Sequence, residues 1–160
     1  MMRPVPLSLS LLMSIAWSAS ALADMPSDPV AVAQSLYAGH HDFYVADAPD
    51  AAVLSPQLLA LLQRDWRCQA PGDECAISAD PWTAAQEGEA LPPVRYRLHS
   101  DDAGQAIVEM RYPFGWADDM AAATEQKTLV VLVRGKSGWL LDDLRVGGQS
   151  LSKILRDYDY

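Results

Sequence analysis

A single change of hydrophobic period, near Pro92, constrains this chain more than any other feature. Upstream the apolar residues recur at helical spacing and downstream they alternate, so helices come first and strands second, the order of an α+β domain. Asp28-Pro29 supplies an N-cap and a proline at the first helical position, and Val30, Ala33, Tyr37 and His41 or Tyr44 then share a face. A first helix is predicted from Pro29 to about Tyr44. Ala46-Asp47-Ala48-Pro49-Asp50 breaks it, and Ser55-Pro56 starts a second helix with Leu58, Leu59, Leu62 and Trp66 as its core stripe.

Beyond Pro92, Val94, Tyr96 and Leu98 alternate with Arg95, Arg97 and His99, and Ala106, Val108, Met110 and Tyr112 alternate with Ile107, Glu109 and Arg111. Asp101-Asp102-Ala103-Gly104 joins these runs as a hairpin. Two more runs, Thr128 to Arg134 and Gly138 to Val146, flank the tight turn Gly135-Lys136-Ser137. Four antiparallel strands in sequence predict a meander, bent over the helices and closed by a short helix from Ser150 to about Asp157.

The first 23 residues read as a cleavable export signal: Arg3, an apolar stretch from Val5 to Trp17, and Ala21-Leu22-Ala23 before Asp24. The mature chain is expected to begin near Asp24, as one soluble domain of about 137 residues in the periplasm. Its charge is strongly acidic. With 12 Lys+Arg against 21 Asp+Glu the full chain carries −9, a balance that repels nucleic acid and anionic lipid and either keeps a secreted domain in solution or draws a basic protein partner. Cys68 and Cys75 flank a Pro71-Gly72 turn, which in an oxidising compartment predicts a local disulfide. Their spacing is not Cys-x-x-Cys, and none of His40, His41 and His99 sits at zinc-ligand spacing from them.

Asp80-Pro81-Trp82-Thr83-Ala84-Ala85-Gln86, together with Gly138-Trp139-Leu140-Leu141-Asp142-Asp143-Leu144, resembles a bacterial secreted domain family of unknown function in the nuclear-transport-factor-2-like superfamily. Glu87 stands where the pattern leads one to expect an aspartate. The resemblance spans roughly Pro29 to Leu155. It implies a cone: N-terminal helices packed into a strongly curved antiparallel sheet, with a pocket at the open end. Exported proteins of this size and fold include periplasmic immunity proteins that neutralise antibacterial toxins.

Two candidate sites follow. Asp80, Trp82 and Gln86 either form a fixed turn feeding the sheet or stand at the rim of the cone's pocket. On a regular strand Asp142 and Asp143 point to opposite faces, so one of them can face inward near Tyr37, as in the isomerases of the superfamily. The second candidate is the loop Tyr112-Pro113-Phe114-Gly115-Trp116-Ala117-Asp118-Asp119. Its aromatics Tyr112, Phe114 and Trp116 are either anchors for a partner, with Asp118 and Asp119 suiting a basic one, or, in the case of Tyr112 and Phe114, the closure of the cone's hydrophobic end. No nucleophile and base pair, cofactor motif or metal-ligand cluster stands at recognisable spacing, and adjacent His40 and His41 diverge by about 100° on a helix. The expectation is a domain that binds a protein partner rather than one that catalyses, with a small-molecule pocket as the alternative.

Overall fold

Asp28 caps the first helix, α1 (Pro29–Gly39), by accepting the Ala31 amide on its carboxylate. The computed structural model describes residues 27–46, 51–69, 75–102 and 104–160; the expected export signal, Met1 to Ala23, lies outside them. α1 stops five residues short of Tyr44, and two causes meet there. Gly39 is a poor helix former, and past it tertiary bonds hold the backbone in a turn. Trp82 Nε1 donates to the His41 carbonyl (2.9 Å), while Trp66 Nε1 donates to that of Tyr44 (2.9 Å). The buried face is also turned from the expected one: Val32, Ala33 and Leu36 lie in the core, with Val30 and Tyr37 at its edge. α1 is apolar on nearly every side, so its periodicity could not select a face.

Ser55 caps α2 (Pro56–Cys68) by accepting the Leu58 amide, and Leu58 and Leu62 are fully buried. Asp65, on the same helix, is also fully buried. It accepts the Ala76 amide (2.9 Å) and Gln69 Nε2 (2.8 Å), pinning the chain just after the disulfide against α2. Cys68 and Cys75 are bonded, with Cα atoms 5.7 Å apart.

The sheet has six antiparallel strands: β1 (Glu89–Ala90), β2 (Arg95–Asp102), β3 (Gln105–Gly115), β4 (Thr124–Arg134), β5 (Trp139–Val146) and β6 (Gln149–Ser150). Its order is β1-β3-β4-β5-β6, with β2 on the same side of β3 as β1, and α3 (Leu151–Asp157) follows directly on β6. The meander therefore gains two short strands, and β3 and β4 run longer than expected. Even-numbered residues of β3 (Ala106, Val108, Met110, Tyr112) and Val130 and Leu132 of β4 meet the helices in one core. No described helix is long and apolar enough to cross a membrane.

Candidate functional site

Asp80 builds its own turn. Its carboxylate accepts the Trp82 amide (2.9 Å) and the Thr83 hydroxyl (3.1 Å), its carbonyl accepts the Ala84 amide (2.7 Å), and its amide donates to the Ala85 carbonyl (3.0 Å). Proline at the next position fixes φ for such a turn, and Ala84 completes it at φ 55°, in the left-handed region. The result aims Trp82 inward.

Trp82 is 0 % exposed, and Tyr37, His41 and Phe43 pack round it with ring centroids 5.2 to 6.0 Å away. Its carbonyl accepts both the Tyr112 hydroxyl (3.1 Å) and the Thr128 hydroxyl (2.5 Å), which ties the turn to β3 and β4. Trp82 thus fills the space between α1 and the sheet, and it does not stand at a ligand-facing rim. Buried indole is kept by packing and by its satisfied N–H. Gln86 is exposed and donates to the Ser78 carbonyl (3.3 Å).

The sequence-predicted residues Tyr37, Asp80 and Trp82 do come together, and the structure adds His41 to them. Its Nδ1 is 3.2 Å from Asp42 and its Nε2 is 3.8 Å from Asp80. No spacing rule links His41 to Asp80, because a tertiary fold joins them. Burial, then the Asp80 charge, pushes the Tyr37 phenol above its ordinary value.

Asp142 and Asp143 stand elsewhere. The β4–β5 pairing slips between Val131 and Leu132, whose partners are Asp143 and Leu141, so Asp142 is the extra residue of a β-bulge. Regular alternation fails at that point, and neither carboxylate joins Tyr37. Asp142 accepts the Ser55 hydroxyl (2.6 Å) at the start of α2. Asp143, nearly buried, accepts the Ser150 hydroxyl (2.8 Å), the Ser152 amide (2.9 Å) and Arg145 Nε (3.0 Å), holding the first turn of α3.

The segment from Tyr112 to Asp119 divides in two. Tyr112, Pro113, Phe114 and Gly115 belong to β3, and Tyr112 is 0 % exposed, so this aromatic cannot be a partner anchor. Phe114 is half-buried against Gly88, where an added Cβ would lie 2.8 Å from the ring. The true connection between β3 and β4 begins at Trp116. Trp116 is 54 % exposed and Met120 49 %, with exposed Asp118 and Asp119 between them. Backbone bonds hold this connection: the Asp119 amide donates to the Trp116 carbonyl (3.0 Å), and the Ala122 amide to that of Asp119 (3.2 Å). At its base a Cβ on Gly115 would lie 3.3 Å from Ala123 Cα, so glycine lets the two strand ends close. Met120 was not singled out by sequence; it opens the short turn Met120–Ala122 in the same connection and is exposed there.

A cavity of about 280 Å³ lies between the residue 76–81 segment, β5 and α3, bordered by Ile77, Asp80, Pro81, Leu144, Leu151 and Ile154. Of the expected pocket residues only Asp80 reaches it. On the opposite surface of the sheet sits a charge cluster that sequence reading missed. Glu109, 3 % exposed, accepts Arg111 Nε (2.7 Å) and Arg97 Nη2 (3.0 Å), with Lys127 3.8 Å away. The Arg111 hydrogen bond, then that of Arg97, outweighs burial and holds the Glu109 carboxyl at about 2. Among the described residues no group of three or more His, Cys, Asp and Glu side chains is placed to hold a metal ion. No family model matches this chain, nor does any curated protein or solved structure.

Proposed function

We propose that this chain is an exported binding domain of the nuclear-transport-factor-2-like cone class, working in the periplasm without catalysing a reaction. Its partner is a protein with a basic surface, most specifically an antibacterial toxin that it neutralises as an immunity protein does. One observation carries this reading. Trp116 and Met120 stand exposed on a backbone-bonded connection, with Asp118 and Asp119 between them. Large apolar anchors are what a protein interface buries at its centre, and flanking acids steer a basic surface toward them. The export signal and the overall acidity fit that role.

A second reading, a small-molecule binder or isomerase-like enzyme, has the 280 Å³ cavity beside Asp80 in its favour. Each carboxylate oxygen of Asp80 accepts a bond within its own turn, from Trp82 or Thr83, which gives the group a structural role that needs no ligand. Capture from the source bacterium's envelope separates the readings. The purified protein should retain a basic protein that a Trp116→Ala, Asp118→Ala, Asp119→Ala variant loses. Equal retention by both excludes this connection, and the absence of any protein partner favours the cavity.

A further inference from the structure

The two margins of the sheet are finished differently. Along β5 the outer edge is partly covered: Leu54 bridges Leu141, the Ser55 amide donates to the Leu141 carbonyl (2.7 Å), and β6 pairs Arg145 and Val146. Along β2 it is not. The eight residues from Arg95 to Asp102, all but His99 paired with β3 on one side, meet no strand on the other among the described residues. Leu98, at the middle of that edge, is 42 % exposed. An open edge of this length offers a row of backbone donors and acceptors to any chain that can lie beside it.

The edge is also charged in two halves, with Arg95 and Arg97 at one end and Asp101 and Asp102 at the other. Laid antiparallel against a copy of itself, about a two-fold axis between Leu98 and His99, Arg95 faces Asp102 and Arg97 faces Ser100. Opposed residues must project from the same face of the joined sheet, and the register shows that they do. Arg95 and Arg97 pair with Arg111 and Glu109, whereas Ser100 and Asp102 pair with Ile107 and Gln105, all odd-numbered on β3. The slip between Leu98 and Ser100, a bulge at His99, is what moves Ser100 and Asp102 onto the face of the arginines. Without it, Arg95 and Asp102 would project from opposite faces.

We propose that β2 is a self-recognition edge through which two copies of this chain join their sheets antiparallel and form a symmetric dimer. A two-fold interface repeats each contact, so two Arg95–Asp102 pairs form per dimer, with Arg97 diagonal to each aspartate. Arg95 spends only Nη2 on Glu125, and its remaining guanidinium N–H groups are directed donors for the second copy's carboxylate. The bulge interrupts the hydrogen-bond row at its centre, which makes the dimer weak and concentration-dependent.

Sedimentation equilibrium of the purified protein across a wide concentration range tests this. The native protein is expected to pass from monomer to dimer, and Asp102→Arg or Arg95→Glu alone should weaken the dimer about tenfold or more, since each places two like-charged pairs in opposition. An equimolar mixture of the two variants restores opposite charges at both positions and should dimerise again. This recovery shows that the variants are folded. A native protein that stays monomeric throughout overturns the proposal, as does a dimer indifferent to both reversals or a mixture that fails to recover.

Discussion

Trp82 ties three parts of the fold together, partly through its side chain and partly through its backbone. It bonds the end of α1 through its indole and both β3 and β4 through its carbonyl, while its ring fills the space between them. Trp82→Ala should therefore cost about 3–5 kcal/mol in denaturant unfolding, the range for deleting a buried aromatic. Tyr112→Phe, which removes one hydroxyl but keeps the ring, should cost about 1 kcal/mol. Glu109 gives a pH-dependent counterpart. Its folded-state value of about 2 lies below the ordinary 4.5, so its stabilisation is present above pH 4.5 and is lost as pH falls toward 2. Glu109→Gln should be less stable than the native protein by about 1–3 kcal/mol at pH 7, and the difference should shrink across that acid window in urea melts. A gap that stays constant to pH 2 would contradict the assignment. In sequence, Asp80-Pro81 could be read as a turn, but its surroundings could not: the rings of Tyr37, His41 and Phe43 and the His41 carbonyl that receive the indole come from a segment about forty residues away.

At the scale of elements, the helix starts and the main strand runs were legible because they depend on local chemistry. Asp28-Pro29 and Ser55-Pro56 cap α1 and α2, alternation marks β2 and β3, and the apolar runs either side of Gly135-Lys136-Ser137 mark β4 and β5. What escaped was set by partners distant in sequence. The turn that follows α1 is held by bonds from Trp66 and Trp82, and the bulge at Asp142 appears only when β5 is registered against β4. The two aspartates consequently act as joints, and neither stands beside Tyr37. Asp143→Ala, which strips acceptors from Ser150, Ser152 and Arg145, should cost about 1–3 kcal/mol and speed amide exchange in the first turn of α3. Asp142→Asn keeps an acceptor for Ser55 and should cost under about 1 kcal/mol. The Cys68–Cys75 bond closes a short loop, and its reduction should lower stability by roughly 2–3 kcal/mol. Free thiols in the denatured, unreduced protein would argue against that bond.

At the scale of the whole molecule, net charge and shape divide the work. An excess of acid raises the encounter rate with basic partners, but it cannot give a specific grip. Under the proposed function, the grip comes from Trp116 and Met120, and the steering from Asp118 and Asp119. The candidate surface was half legible in sequence: Trp116, Asp118 and Asp119 are exposed, whereas Tyr112 is lost to the core because β3 extends through Gly115. The most direct measurement is the binding of the captured partner to the native protein and to Trp116→Ala, followed at several salt concentrations. The account predicts an affinity loss of about thirtyfold or more for Trp116→Ala, seen mainly in dissociation, as for truncation of a central anchor. It also predicts that Asp118→Asn with Asp119→Asn slows association in a way that vanishes at high salt. Unchanged affinity in Trp116→Ala would contradict the central claim.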